Sequence, residues 1–334
     1  MAEVTVSFNE ALAAAVAALT ARGASPEHAA ASGRALVTAQ AEGNRGVGLK
    51  HLFTYRDAFV SGRAKGDAEP VIEEITDSLT RVDAAEGLPH LGVERALPRL
   101  VAGAERLGVA QLALRNGYPC GALGYFARQL AEAHGLAALV AANAGPAVMA
   151  ASGGKTPVFC TNPLAFAVPT DTGPGEAPAL VIDQSSSSSS LATLRGAAEA
   201  GREIPEGCAL DAEGHPTTDP KAALAGSLLP FGGKRGANIA LMVELLAAGL
   251  TGANWSREAP PFNKGSKSPG AGLFILAISP LAGFNTRLSA WLDAVAAKEG
   301  VHLPGLAKGE ALHLARHRGF AVDTELWARV KALA

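Results

Sequence analysis

Several stretches of this chain hold residue types and spacings that can do chemistry. In Phe231-Gly232-Gly233-Lys234-Arg235-Gly236-Ala237-Asn238, two glycines let the backbone approach a ligand closely, and two adjacent cations follow. The segment opens a predicted long helix, whose free amides favour an anion, so a phosphate-bearing ligand fits. The plain alternative is a helix start that uses glycine only to turn. Asp183-Gln184 ends an apolar strand and runs into six serines, Ser185 to Ser190. That run reads either as a solvated linker or as a loop whose hydroxyls and amides hold an anion at a strand's carboxyl end. Arg115-Asn116-Gly117-Tyr118-Pro119-Cys120-Gly121 follows a strand and turns sharply into a helix. Cys120 near that helix start reads as a thiol of lowered pKa or as an inert buried one.

Other patterns fail the test. No GxGxxG follows a strand, the Gly232–Gly236 segment lacks P-loop spacing, and there is no GxSxG elbow. His313 and His317 stand at i and i+4, but the HExxH glutamate is missing and Arg316 sits between them, so we expect no metal site. With 29 basic and 31 acidic residues and no basic stripe, nucleic acid is not an expected partner. Three widely spaced cysteines (Cys120, Cys160 and Cys208) form neither a disulfide framework nor a zinc ribbon and fit a reducing cytoplasm. No apolar run reaches membrane-spanning length, and the N-terminus lacks signal-peptide character.

The elements that must position these residues are legible in the periodicity. Ser7-Phe8-Asn9-Glu10 is a capping box before a helix over 11–21, and Ser25-Pro26 caps a second to about Ala41. A third helix fits 49–61. Short apolar runs then predict strands over 71–75, 79–82, 110–114, 137–141, 163–168, 180–183 and 274–278. Helices fit 93–107, 122–134, 220–224 and 237–250, and again 287–298, 309–317 and 324–333, the last behind Asp323 as N-cap. Only 5% of residues are aromatic, so the core is expected to pack small side chains. The expected class is α/β: a helical layer from both termini (1–68 and 284–334) around a sheet-containing middle (69–283).

At these motifs the chain resembles the malate/L-lactate dehydrogenase-type oxidoreductases, which do not use a Rossmann fold. The resemblance runs over nearly the whole length. It is carried by Gly154 through Thr161-Asn162-Pro163-Leu164-Ala165-Phe166-Ala167, Pro216-Thr217-Thr218-Asp219-Pro220, Leu229-Pro230-Phe231-Gly232-Gly233, Leu303-Pro304-Gly305 and the terminal helix from Val322. It implies a mixed, largely antiparallel sheet, a homodimer with the active site near the subunit interface, an NADH or NADPH cofactor, and hydride transfer to a small 2-oxo or 2-imino acid. Carried over, cofactor contacts fall on Tyr118, Pro119, Cys120, Gly121, Ala122, Ser185, Ser186, Ser187, Lys234, Arg235, His302, Pro304 and Gly305. The Lys-Arg pair leans towards a 2′-phosphate.

The departures concern catalysis. The family's Ser-His-Gly falls on Gly46-Val47-Gly48, so both catalytic side chains are gone, and the Arg that clamps the substrate carboxylate falls on His51. Losing a positioned acid costs a ketone reduction about 10²–10⁴ in rate. An imine needs less help, because it can arrive protonated. The reading is therefore an NAD(P)H-dependent reductase of a C=N or other activated double bond in specialised metabolism, acting on something other than a simple 2-oxo carboxylate. His51 (ordinary pKa near 6.5) or Lys50 stands as replacement acid, Asp183 orients, and Val47, Thr161 and Asn162 line the substrate pocket. The alternatives are a non-redox lyase or cyclase using Cys120, Cys160 and His51 in the old cleft, or an inactive binding subunit.

Overall fold

The computed structural model describes residues 2–170, 179–298 and 300–333. At the N-terminus, β1 (Glu3–Val6) leads into α1 (Phe8–Thr20), where the Ser7 hydroxyl accepts from the Glu10 amide. Next come α2 (Pro26–Ala41), capped by Ser25, and α3 (His51–Val60). The chain then builds β2 (Val71–Thr76), β3 (Leu79–Asp83), α4 (Pro89–Leu107), β4 (Val109–Gly117), α5 (Gly124–His134) and β5 (Ala137–Asn143). After β6 (Met149–Ala150) and β7 (Pro157–Phe159) come β8 (Leu164–Val168), β9 (Leu180–Gln184) and α6 (Leu191–Glu199). β10 (Ala209–Leu210), α7 (Pro220–Ala225), β11 (Ser227–Leu228), α8 (Lys234–Glu244), a π-helical turn (Leu245–Gly249) and β12 (Ala271–Ile278) complete the middle. α9 (Phe284–Ala296), α10 (Leu306–Arg318), β13 (Phe320–Asp323) and α11 (Thr324–Lys331) close the chain.

The seven predicted strands are the seven strands of one sheet, ordered β2-β3-β4-β12-β5-β8-β9. Only the β3–β4 pair is parallel. Strand periodicity decides which face each side chain serves. On β12, Leu273, Ile275 and Ala277 pack with α4 and α5, while Phe274 faces Val243 and Ala247 of α8 and the π turn. Helices thus cover both sides of the central strands, which is why β5 and β12 read as continuous apolar runs. A four-stranded sheet, β10-β11-β6-β7, lies beside α6 and α7.

The two chain ends form one layer. β1 pairs antiparallel with β13, and Val6, Ala15, Leu19, Leu36, Leu52, Val322, Trp327 and Val330 share a core. Asp323 caps α11 by accepting from the Leu326 amide. Among the described residues, no helix is long and apolar enough to cross a membrane.

Candidate active site

The site begins with the loop between α2 and α3. The buried Gln40 side chain accepts from the Leu49 amide at 3.1 Å and fixes that loop. Gly48 packs against Gln40 so closely that a Cβ there would lie 2.6 Å from Oε1 and 2.8 Å from Cα. The turn so formed presents Val47 and, at the start of α3, His51 to a cavity of about 260 Å³. Lys50 points outward, exposed, and does not line that cavity.

The opposite wall is the turn Tyr118–Gly121, pinned from several sides. The Tyr118 hydroxyl donates to the Phe262 carbonyl at 2.8 Å, bringing the Phe262 ring over the cavity. The His90 Nε2 lies 3.0 Å from the Cys120 carbonyl, and its Nδ1 lies 3.2 Å from the Ser32 hydroxyl. A carbonyl only accepts, so Nε2 carries the proton and Ser32 donates to Nδ1. The Gly124 amide, opening α5, donates to Asp183 at 2.8 Å. Asp183 and Ala122 therefore support this turn from behind and do not line the cavity.

Two motifs that lie far apart in sequence meet here. The Ser186 amide donates to the Thr161 carbonyl and its hydroxyl to the Asn162 carbonyl, while the Phe231 amide donates to the Ser186 carbonyl. The Ser188 amide donates to the Leu229 carbonyl. The serine run is thus neither a linker nor fully exposed: Ser186 and Ser187 are buried, joining the Thr161 segment to the glycine turn before α8. Ser190 caps α6 and, with Leu191, borders the cavity. Beyond the join, Gly232 and Gly233 have φ of 57° and 60° and open space where a Cβ would be. Lys234 and Arg235 are exposed, and neither makes an ion pair among the described residues. Bare backbone, an eleven-residue helix start and two uncommitted cations fit a dinucleotide phosphate chemically.

Other predicted residues are placed differently. Thr161 lines the cavity, but the Asn162 side chain turns away: its Nδ2 donates to the Ala240 carbonyl and to the buried Glu244. It takes a positive φ of 40°, and its Oδ1 has no partner. The cause is simple: two buried oxygens, of Ala240 and Glu244, accept from that amide, and the apolar cavity wall offers none. His302 is exposed, and Pro304-Gly305 precedes α10, where Gly305 lies against the Val181 backbone of β9. His313 and His317 stand on an exposed helix face with ring centroids 5.0 Å apart. Sequence reasoning missed Thr54, Asn143, Phe262 and Gly272 in the wall. None of them carried a local signal: Gly272 lies outside the run 274–278 read as a strand, and only the structure extends β12 back to Ala271.

Burial sets the protonation states. It pushes His51 down to about 4, so at neutral pH the ring is uncharged and does not serve as an imidazolium acid. The His51 ring packs edge-on to Tyr55 at 4.8 Å, and its Nε2 is shielded from solvent without a hydrogen-bond partner. Burial, aided by the Asp183 charge, pushes the Cys120 thiol up to about 12, and burial takes Cys160 up to about 11. Of the two readings of Cys120, the inert buried thiol is the one that holds: burial outweighs the nearby helix start. Asp183 is also raised by burial, against the Gly124 amide and Lys308.

The sequence profile of the malate/L-lactate dehydrogenase family matches residues 6–331. The chain belongs to this family. It is 39% identical over 323 residues to a (2R)-3-sulfolactate dehydrogenase (NADP(+)) of Chromohalobacter salexigens, covering 95% of this chain and 94% of that one. It is 38% identical over 324 residues to a Delta(1)-pyrroline-2-carboxylate reductase of Ancylobacter novellus, covering 94% and 93%. In three dimensions it is similar to the delta1-piperideine-2-carboxylate reductase of Pseudomonas syringae pvar. tomato, with a TM-score of 0.92, 31% identity and coverage of 99% and 100%. The fold assigned from the motifs is the family's, and this malate/L-lactate dehydrogenase-type chain is an NAD(P)-dependent oxidoreductase.

Proposed function

We propose that this family member is an NADPH-dependent reductase of a cyclic, ketimine-like C=N bond. The observation that carries the reading is the state of the cavity wall. Val47 and an uncharged His51 stand where proton donation would be needed, and the thiols beside them stay protonated far above neutral pH. A ketone oxygen developing negative charge needs an acid there. An imine nitrogen is basic enough to bring its own proton. Two of the relatives above bear names of reductases acting on Delta(1)-pyrroline and delta1-piperideine carboxylates, which are cyclic C=N compounds.

In this reading Lys234 and Arg235 hold the cofactor phosphates, with the pair favouring the 2′-phosphate of NADPH. Ser185–Ser187 shape the join between cofactor and substrate, and Thr161 and His51 face the substrate. Bound NADPH supplies the hydride. The chain's own residues exclude water, through Phe262 and the Leu191 edge, and position the acceptor beside the Tyr118–Gly121 turn. The non-redox alternative loses its two thiolates, because neither cysteine is poised to ionise.

A homodimer forms part of the proposal. Leu276, Leu139, Phe166 and Ile182 form a cross-strand apolar row on the sheet, and Phe166 and Ile182 are each 36% exposed. Leu241, Leu245 and Leu250 on α8 and the turn after it are exposed as well. Such surface is what a second copy covers.

The test is titration of the purified chain with NADPH and NADH by calorimetry, followed by loss of NADPH absorbance with cyclic imines. Micromolar NADPH binding and imine-dependent oxidation are expected. Absence of both would refute the proposal.

A further inference from the structure

Glu244, the last residue of α8, is 4% exposed, and no cation pairs with it among the described residues. A buried carboxyl group of this kind is costly unless hydrogen bonds satisfy it. Both of its oxygens accept. Oε1 takes the Ser256 amide at 2.6 Å, and Oε2 takes the Ser256 hydroxyl at 2.7 Å and the Asn162 Nδ2 at 2.8 Å. Asn162 is fully buried and holds a φ of 40°, a left-handed conformation that persists only where the surroundings enforce it. Its Nδ2 also donates to the Ala240 carbonyl at 2.8 Å. The side-chain amide cannot flip, because Oδ1 would then face the Ala240 and Glu244 oxygens. The orphaned Oδ1 is the consequence of that fixed orientation.

Asn162 follows Cys160 and Thr161, which both line the cavity. The same segment is tied to the turn that opens α8: the Ser186 amide donates to the Thr161 carbonyl at 2.9 Å, and the Phe231 amide to the Ser186 carbonyl at 3.1 Å. The Thr161 wall is thus held from both ends of one helix. Past Glu244 that helix widens into the π turn, whose Ala247 carbonyl accepts from the Thr251 hydroxyl at 2.6 Å. This carbonyl lies so close to Gly272 of the cavity wall that a Cβ there would be 1.7 Å away. A second wall segment therefore rests on the same helix end. We infer that Glu244 is a positioning residue: through Asn162 it holds Thr161 in the cavity wall and joins that wall to the helix that begins with Lys234 and Arg235. Glu244 itself does not line the cavity. The inference rests on the reductase reading only for what Thr161 faces.

Glu244→Gln and Asn162→Gly test it. The glutamine must turn its NH₂ towards either the Ser256 amide or the Asn162 Nδ2, donor against donor. The backbone amide is fixed, so the Asn162 link is the one lost. Asn162→Gly also cuts the link, although glycine adopts this φ freely. Iodoacetamide labelling of the native full-length protein over hours, followed residue by residue by mass spectrometry, reads the wall through Cys160. Either variant should label Cys160 about tenfold faster than the parent while Cys120 and Cys208 stay within about twofold, because general loosening would speed all three. The double variant should be no faster than either single one. A parent-like Cys160 rate in Glu244→Gln overturns the inference, and so does an equal rise at all three cysteines. A parent-like Asn162→Gly would mean that only the turn conformation counts, and additive effects would mean that the two residues act separately; both overturn it. With NADPH and 2-methyl-1-pyrroline, Glu244→Gln should raise KM about tenfold with kcat within about threefold. An unchanged KM overturns the positioning role. A parent that oxidises no NADPH with this imine counts against the reductase reading alone, and the cysteine rates then decide the role of Glu244.

Discussion

Gly46 and Gly48 flank Val47 in the loop that builds one wall of the cavity, yet they face different surroundings. A Cβ at Gly46 would meet nothing within 4 Å, whereas one at Gly48 would lie 2.6 Å from the Gln40 Oε1, 2.8 Å from its Cα and 2.9 Å from its Cβ. The Gln40 side chain can rotate, but its Cα belongs to buried α2, so the loop must move instead. Moving it strains the 3.1 Å bond from the Leu49 amide to Oε1. Overpacking of this kind costs about 1–3 kcal/mol, whereas Gly46→Ala should stay within about 0.5 kcal/mol. Equilibrium urea unfolding of the two variants beside the parent measures the difference. Gly48→Ala should also lower kcat/KM by about tenfold or more, because Val47 and His51 ride on the displaced loop and small misplacements are costly in catalysis. Equal stability and equal turnover in the two variants would refute the assignment of this loop as a wall fixed by Gln40.

Further expectations follow from the same geometry. Lys234→Ala with Arg235→Ala should raise the apparent Kd for NADPH about tenfold, roughly 1.4 kcal/mol, and that for NADH less, as read by calorimetry. His51 and His90 are held neutral by burial, down to about 4 and about 3, while in the unfolded chain both titrate at their ordinary value. Below that value the unfolded state takes up protons that the folded state refuses. Stability should therefore fall as pH drops through the range between, by on the order of 3 kcal/mol from His51 alone. His51→Asn should flatten the denaturation profile there. Arg128 is nearly sealed between Glu42 and Glu132, at 2.9 and 2.7 Å, and Arg128→Ala should cost about 3–5 kcal/mol in urea unfolding because Glu42 loses its ion-pair partner and Glu132 keeps only Arg316, at 3.8 Å. Cys120 and Cys160 should resist iodoacetamide in the native protein at neutral pH and react once it is unfolded, as mass spectrometry would show.

Much of the fold was legible because its signals are local. Ser7, Ser25 and Asp323 cap their helices as their positions require, and each run of alternating or continuous apolar residues became a strand of the large sheet. What escaped has physical reasons. β6, β10 and β11 are two residues each, too short for any period. α6 begins directly behind the serine run, which masks its cap, Ser190. The helix expected from 237 to 250 is α-helical only to Glu244 and then widens into a π turn, a change that residue type does not signal. In the site, the motifs located the serine run and the Gly232–Arg235 segment, but only tertiary hydrogen bonds show that they are one structure. Protonation was the least legible property. Cys120 and His51 were read from their sequence neighbours, whereas burial decides both.

Hydride delivery from NADPH to an imine carbon is the step that defines the proposed enzyme. It is tested most directly by incubating the protein with a cyclic imine and NADPH carrying deuterium at the transferable C4 position, then analysing the product by mass spectrometry and NMR. One deuterium per amine is expected, on the former imine carbon, with one NADPH oxidised for each amine formed. Conversion of the imine without deuterium transfer, or no conversion by a protein that binds NADPH, would contradict it.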